Sequence, residues 1–261
     1  MKGKVIKSTG SWFIVRAENK ELLQCKIKGK FRIQGIKTTN PVAVGDEVEV
    51  EQTQKTDYPV ITKIYPRRNY IIRKSVNLSK EAHILASNID QAMLFVTLAY
   101  PETSLSFIDR FLITAEAYKI PCILIFNKID LYNDEILEDL VAYQMMYEAL
   151  SIKCLSTSAS EAIGLEDVKS LLKDKTTMIS GHSGVGKSTL INALDPALDI
   201  RTDEISEIHL QGKHTTTFAE LHELDFGASI IDTPGVRGFG LVYFEKEELR
   251  YLFPEFTPYA E

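Results

Sequence analysis

Two short stretches of the chain have residue types and spacings that suit a nucleotide. The first is Gly181-His182-Ser183-Gly184-Val185-Gly186-Lys187-Ser188-Thr189, which carries the pattern G-x-x-x-x-G-K-[ST]. It follows an apolar run, "TTMIS" at 176–180, and opens a helical one, "GKSTLINAL" at 186–194. That is the strand–loop–helix setting a phosphate loop needs. Glycines let successive backbone N–H groups close on phosphate oxygens, and the helix N-terminus adds the positive end of its dipole. Lys187 has the reach for β- and γ-phosphates, and the Ser188 hydroxyl is a Mg²⁺ ligand. The second stretch, Asn127-Lys128-Ile129-Asp130, ends the apolar run "PCILIF" at 121–126. A carboxylate at Asp130 can accept from both N1–H and the N2 amino group of guanine. Adenine has no such donor pair and would leave the carboxylate unpaired. Asn127 can hydrogen-bond the base edge and neighbouring loops, while the Lys128 stem covers a ring face.

Three further elements fit the same ligand. Asp232-Thr233-Pro234-Gly235 follows the apolar residues of the strand-like run "SIIDT" at 229–233, with Asp232 44 residues beyond Ser188. Its carboxylate can hold Mg²⁺ through water, and the Gly235 N–H can sense a γ-phosphate. Between them lies "QGKHTTT" at 211–217, where Thr215, Thr216 or Thr217 can supply a hydroxyl that contacts Mg²⁺ only while the γ-phosphate is present. Thr157-Ser158-Ala159 ends the run "IKCLST" at 152–157 and can support guanine from its other side. Alone, the short motifs also read as a surface turn, a simple bend or a strand-edge threonine cluster. Their places at strand ends, where doubly wound sheets bind ligands, argue for a site. The order is base, base support, phosphate, switch, switch. GTP-binding proteins usually run phosphate, switch, switch, base, base support, so the order here is a circular permutation. The change is physically mild, because the same loops still meet at one sheet edge.

The elements that position these residues change character along the chain. Residues 1–68 show short strand-like runs, "WFIV" (12–15), "LLQCKI" (22–27) and "DEVEVEQ" (46–52), punctuated by Gly10, Gly29, Gly35, Gly45 and Pro59. They predict a small β-barrel, either the five-stranded oligonucleotide-binding (OB) type or an SH3-like one. "YPRRNYIIRKSVNLSKEAH" is polar, basic and poorly periodic, so 69–83 is expected to be a linker. Residues 84–245 then alternate strands, including "QAMLFVTL" (91–98) and "FAELHEL" (218–224), with helical runs at 104–119, 133–150 and 165–172. Such alternation predicts a parallel α/β sheet covered on both faces. In the first helix Leu105, Ile108, Leu112, Ala115 and Tyr118 are expected on one face. Residues 246–261 read as the start of a C-terminal segment.

The chain has 261 residues, 44% hydrophobic and 25% charged, ordinary soluble composition. Its apolar runs are strand-sized and no signal-peptide core opens it, so neither a membrane nor export is expected. Cys25, Cys122 and Cys154 are scattered without a Cys-x-x-Cys, which suggests neither a disulfide framework nor a metal knuckle and fits a reducing cytosol. The net charge of −6 is uneven: residues 1–68 carry +7 and residues 69–261 carry −13. A basic module on an acidic protein points to two partners, with nucleic acid for the barrel, although a solvated face that aids solubility has the same look.

On "NKIDLY" (127–132), "GHSGVGKSTLINAL" (181–194), "GKHTTT" (212–217) and "DTPGVRGFGL" (232–241), together with "ILASNIDQ" and "FIDRFLITAE", the sequence resembles the ribosome-small-subunit-dependent GTPase A (RsgA) family. The resemblance covers nearly the whole chain. It implies an N-terminal OB-fold barrel, a circularly permuted P-loop GTPase domain, and cytoplasmic GTP hydrolysis to GDP that is stimulated by the small ribosomal subunit and its rRNA during late maturation. The family also carries a zinc-binding domain with three Cys and one His. This chain ends at "LFPEFTPYAE", about where that domain would begin, and no zinc ligand set is found in it.

GTPases often place a Gln after the glycine of the D-x-x-G motif to orient the attacking water. Here that residue is Val236, whose side chain cannot hydrogen-bond water. His214 is the first candidate for the hydrolytic role, as the resemblance also implies, and His182 is second; a purely local packing role for His214 stands beside them. Lys187 completes the catalytic candidates. Ser188, Thr215, Thr216 and Asp232 are the Mg²⁺ candidates. The fourth phosphate-loop residue is Gly184 rather than Asn, so no potassium dependence is expected. The chief alternative is a GTP-gated RNA-binding scaffold with negligible hydrolysis. A monomer is the default expectation.

Overall fold

The computed structural model describes residues 1–28, 41–52, 57–74, 82–198, 219–232, 250–253 and 255. The chain forms two compact units, the first built on Met1–Ile89. In it, β1 (Lys2–Ser8), β2 (Phe13–Ala17), β3 (Leu22–Ile27), β4 (Glu47–Glu51) and β5 (Val60–Ile64) close on themselves in the order β1-β2-β3-β5-β4-β1. Closure leaves no free edge and matches the OB-type barrel. Alternation builds its core: Phe13, Val15 and Ala17 of β2 are buried, and Phe13 and Val15 cluster with Val5, Cys25, Val48, Val50 and Ile61 from the other strands. β1 and β5 lie outside the expected runs. In β1 lysines alternate with the inward residues, "KGKVIKS", so only Val5 announces an apolar face.

The polar run at 69–83, expected to be a linker, carries strand instead. β6 (Tyr70–Lys74) pairs antiparallel with β7 (Ala82–Ser87), and Ile71, Ile72, Ile84 and Ala86 are buried. The hairpin is fastened to the barrel by a charge sequence reading takes for solvated. Arg67 donates from Nε to Asp46 Oδ1 and from Nη2 to Asp46 Oδ2, each at 2.6 Å. Asp46 is fully buried and also accepts from the Ser87 hydroxyl at 2.6 Å and the Ala43 N–H at 2.9 Å. Gly45, at φ +92°, permits this approach, since a Cβ there would lie 2.1 Å from the Ser87 carbonyl oxygen.

In the second unit, β8 (Gln91–Val96), β9 (Cys122–Phe126), β10 (Lys153–Ser156) and β11 (Thr176–Gly181) form a parallel sheet in the order β10-β9-β8-β11. The helices are α1 (Leu105–Ala117), α2 (Asp134–Ala149), α3 (Leu165–Leu172) and α4 (Lys187–Leu194). Every residue of β8 is buried, as a strand covered on both faces must be. α1 buries Ile108, Phe111, Thr114 and Ala115, a face rotated from the expected one, and Leu105 is exposed. The Asn133 side chain caps α2 by accepting from Ile136 N–H at 3.0 Å. The first unit also takes in β12 (Glu220–Glu223) as far as His222, which pairs with β1 with Lys7 Nζ 2.7 Å from Glu220 Oε2, and β13 (Ser229–Asp232) follows in the chain. Among the described residues no helix is long and apolar enough to cross a membrane.

Asp46→Ala strands a buried guanidinium and is expected to cost about 3–5 kcal/mol. Trp12, the only tryptophan, reports it as a lower urea midpoint by fluorescence. Replacing Arg67 with Met in the same chain should recover much of the loss.

Candidate functional site

Parallel pairing brings the chemistry to one edge. Phe126 lies opposite Val96 and Ser156, and Gly181 opposite Phe95, so the loops after β8, β9, β10 and β11 all leave the sheet at its C-terminal edge. Asn127 is the residue that joins them. It is 1% exposed. Its N–H donates to Val96 O at 2.9 Å, and its carbonyl accepts from the Tyr132 hydroxyl at 2.9 Å. Its Nδ2 donates to Val185 O in the phosphate loop at 2.8 Å, and its Oδ1 accepts from Thr157 Oγ1 at 3.0 Å. One amide thus ties the expected base, base-support and phosphate loops together. Gly186 makes room: a Cβ there would sit 2.3 Å from Asn127 Nδ2, and φ of +90° also disfavours a side chain.

The other residues expected to meet the base follow from this anchor. Lys128 takes a left-handed conformation (φ 65°), and its Nζ donates to the Tyr100 carbonyl at 2.7 Å. Asp130 lies exposed on the short turn that follows and accepts from Ser160 Oγ at 3.1 Å. Hydrogen bonding from Ser158, then from Ser160 and its own backbone, with the Lys128 charge nearby, holds the Asp130 carboxyl below the usual range. It is therefore poised as a charged acceptor. Thr157 and Ser158 are fully buried, with Thr157 N–H donating to Phe126 O at 2.8 Å, and Ala159 packs on the core.

In the phosphate loop, Gly181 ends β11, Ser183 and Gly184 are exposed, and Val185 is fully buried in the core. Gly184 and Gly186 both have positive φ, which the turn into α4 requires. Lys187 opens α4, and its Nζ donates to the carbonyls of Gly181 (2.8 Å) and His182 (2.7 Å). Ser188 is buried in the same first turn and Thr189 is exposed. The His182 ring packs on Phe107, with centroids 3.9 Å apart. Asp232 ends β13, half-buried. His214, Thr215, Thr216, Thr217, Gly235 and Val236 lie outside the described residues. Among the described residues no group of three or more His, Cys, Asp or Glu could hold a metal ion. Sequence reasoning missed Tyr132 and Ser160. Tyr132 has no motif, because its hydroxyl acts on a backbone carbonyl. Ser160 directly follows Thr157-Ser158-Ala159 and was within reach of the pattern.

The sequence profile of the RsgA GTPase matches residues 64–242, and that of the RsgA N-terminal domain matches residues 2–58. The chain belongs to the RsgA GTPase family. RsgA proteins similar to it include the "Small ribosomal subunit biogenesis GTPase RsgA" of Flavobacterium psychrophilum, 54% identical over 98% of this chain and 79% of the relative. The protein of the same description from Christiangramia forsetii is 56% identical over 98% of this chain and 82% of its own. Among solved structures, YjeQ from Thermotoga maritima superposes with a TM-score of 0.77 at 34% identity, covering 98% of this chain and 82% of that one. YloQ, described as a circularly permuted GTPase, gives 0.68 at 30% identity, covering 97% and 77%. The RsgA family places the chain among GTP hydrolases, with GTP as substrate and GDP as product, and its fold is a barrel followed by a circularly permuted GTPase domain.

Asp130→Asn should weaken GDP by about 2 kcal/mol, roughly thirtyfold, by replacing an ion-assisted pair of hydrogen bonds. It should also favour xanthosine diphosphate, whose C2 carbonyl can accept from the new amide; competition against a fluorescent nucleotide measures both. Because the Asp130 pKa is depressed, its charge is complete above the usual carboxylate range, about pH 4, and is lost only as pH falls below it. The preference for GDP over inosine diphosphate, which cancels phosphate titration, is expected to persist accordingly. In Ser158→Ala or Ser160→Ala it should fade at a higher pH.

Proposed function

We propose that this GTPase binds the small ribosomal subunit and its rRNA in the cytoplasm and assists late maturation of that subunit, with hydrolysis stimulated on binding. The observation that carries this reading is the identity of 54–56% over nearly the whole chain to proteins named for small ribosomal subunit biogenesis. The barrel adds physical support. OB folds take oligonucleotides on the face of β2 and β3 and in the β1–β2 and β4–β5 loops. Trp12 lies in the first of these loops and Tyr58 in the second, with ring centroids 5.2 Å apart. Lys26 of β3 sits over both rings, at 4.4 and 4.7 Å, which pairs stacking surface with positive charge. The +7 balance of residues 1–68 fits the same partner.

In this reading Asn127, Lys128 and Asp130 recognise guanine, with Thr157, Ser158 and Ala159 behind them. The loop from Gly181 to Thr189 holds the phosphates. Ser188, Asp232 and Thr215 or Thr216 carry the hard oxygens that Mg²⁺ prefers and would hold it, and the bound ion would supply positive charge beside the phosphates. Lys187 exchanges its loop carbonyls for phosphate oxygens. Val236 offers no hydrogen bond to water, so His214 orients the attacking water. The protein works as a monomer.

The test is GTP turnover by the chain alone and with purified small subunits, with ATP as control. Stimulation with GTP only is expected; its absence overturns the ribosomal reading. His214→Ala should lower stimulated turnover by about 10²–10⁴-fold while leaving GDP affinity unchanged. Turnover equal to wild type would remove His214 from the mechanism.

A further inference from the structure

α2 is apolar on the side that faces water. Leu137, Val141 and Met145 recur at i, i+4 and i+8 and are 37%, 55% and 67% exposed. The opposite face already packs inward through Leu140 and Tyr147, so the outer stripe is not needed to hold the helix to its sheet. Single exposed apolar residues are ordinary, but three aligned on one helix face make a continuous strip about 12 Å long. Around it α2 carries Asp134, Glu135, Glu138, Asp139 and Glu148 and no Lys or Arg. At 100° per residue, Asp134, Glu138 and Glu148 flank the stripe itself.

This combination selects among occupants. RNA and anionic membrane would bring like charge to the carboxylates. A second copy packed face to face would do the same. A cationic amphipathic helix would lay its apolar side on the stripe and its Lys and Arg on the flanking carboxylates, a helix-on-helix contact with complementary charge. We propose that the outer face of α2 is the docking site for a basic amphipathic helix belonging to a protein of the small subunit, so that the second unit engages protein while the barrel engages RNA. The inference rests on the ribosomal reading above.

The test uses the full chain and two variants, Leu137→Asp/Met145→Asp and the charge reversal Glu138→Lys/Glu148→Lys, whose unaided GTP turnover should equal wild type. The probe is a synthetic Lys/Leu helix with leucines at i, i+3, i+4 and i+7, compared with a peptide of the same composition and scrambled order. Wild type should bind the helix about tenfold more tightly than the scrambled peptide, and both variants should lose that preference. On purified small subunits both variants should bind about tenfold more weakly than wild type, with affinity for protein-free rRNA unchanged. Variants that keep the peptide preference, an equal loss on protein-free rRNA, or a wild-type dimer that either variant dissolves would each overturn the proposal. If wild-type turnover shows no response to small subunits, the ribosomal reading fails instead, and the peptide comparison still judges the surface.

Discussion

The site depends on one buried amide. Asn127 sits where four chain segments converge, and each of its polar groups is paired: backbone to Val96 and Tyr132, side chain to Val185 and Thr157. In a water-excluded position an unpaired amide is costly, so the four partners hold one another in place as firmly as they hold Asn127. This explains why permuted order is harmless. The residues that must meet are 58 and 30 positions apart along the chain in the two side-chain bonds, and neither bond depends on which segment comes first. Gly186 belongs to the same constraint, because its missing side chain is the space the amide occupies.

Around that amide, charge is sorted by task. In the first unit three lysines lie against aromatic rings, Lys26 over Trp12 and Tyr58, Lys2 and Lys63 over Tyr65. In the second, carboxylates dominate the helix that follows Asp130. Positive and negative fields are thus kept on separate units, so that a polyanion would be drawn to the first and repelled by the outer helix of the second.

Much of this was legible in the sequence. Lys187 and Asp130 stand out because their motifs fix a spacing from a strand end, and the structure places both just beyond one. What stayed hidden has physical reasons. Arg67 belongs to a basic run that looks solvated, and only the fold shows that it turns inward to Asp46; with it, the hairpin of β6 and β7 was lost to a presumed linker. β1 was masked by lysines on its outer face. α1 chose Phe111 and Thr114 over Leu105 because Thr114 can return its hydroxyl to the Arg110 carbonyl at 2.7 Å, which lets a polar residue be buried at little cost. Tyr132 acts through a backbone oxygen, and such partners leave no pattern to read.

The two carbonyl contacts of Lys187 make its side chain a brace on its own loop. The ammonium holds Gly181 at the end of β11 and the neighbouring His182 carbonyl, while the Lys187 backbone opens α4, so strand end, turn and helix start are tied by one residue. A substitution there removes that brace together with a charge, and a Lys187 variant therefore reports two losses at once.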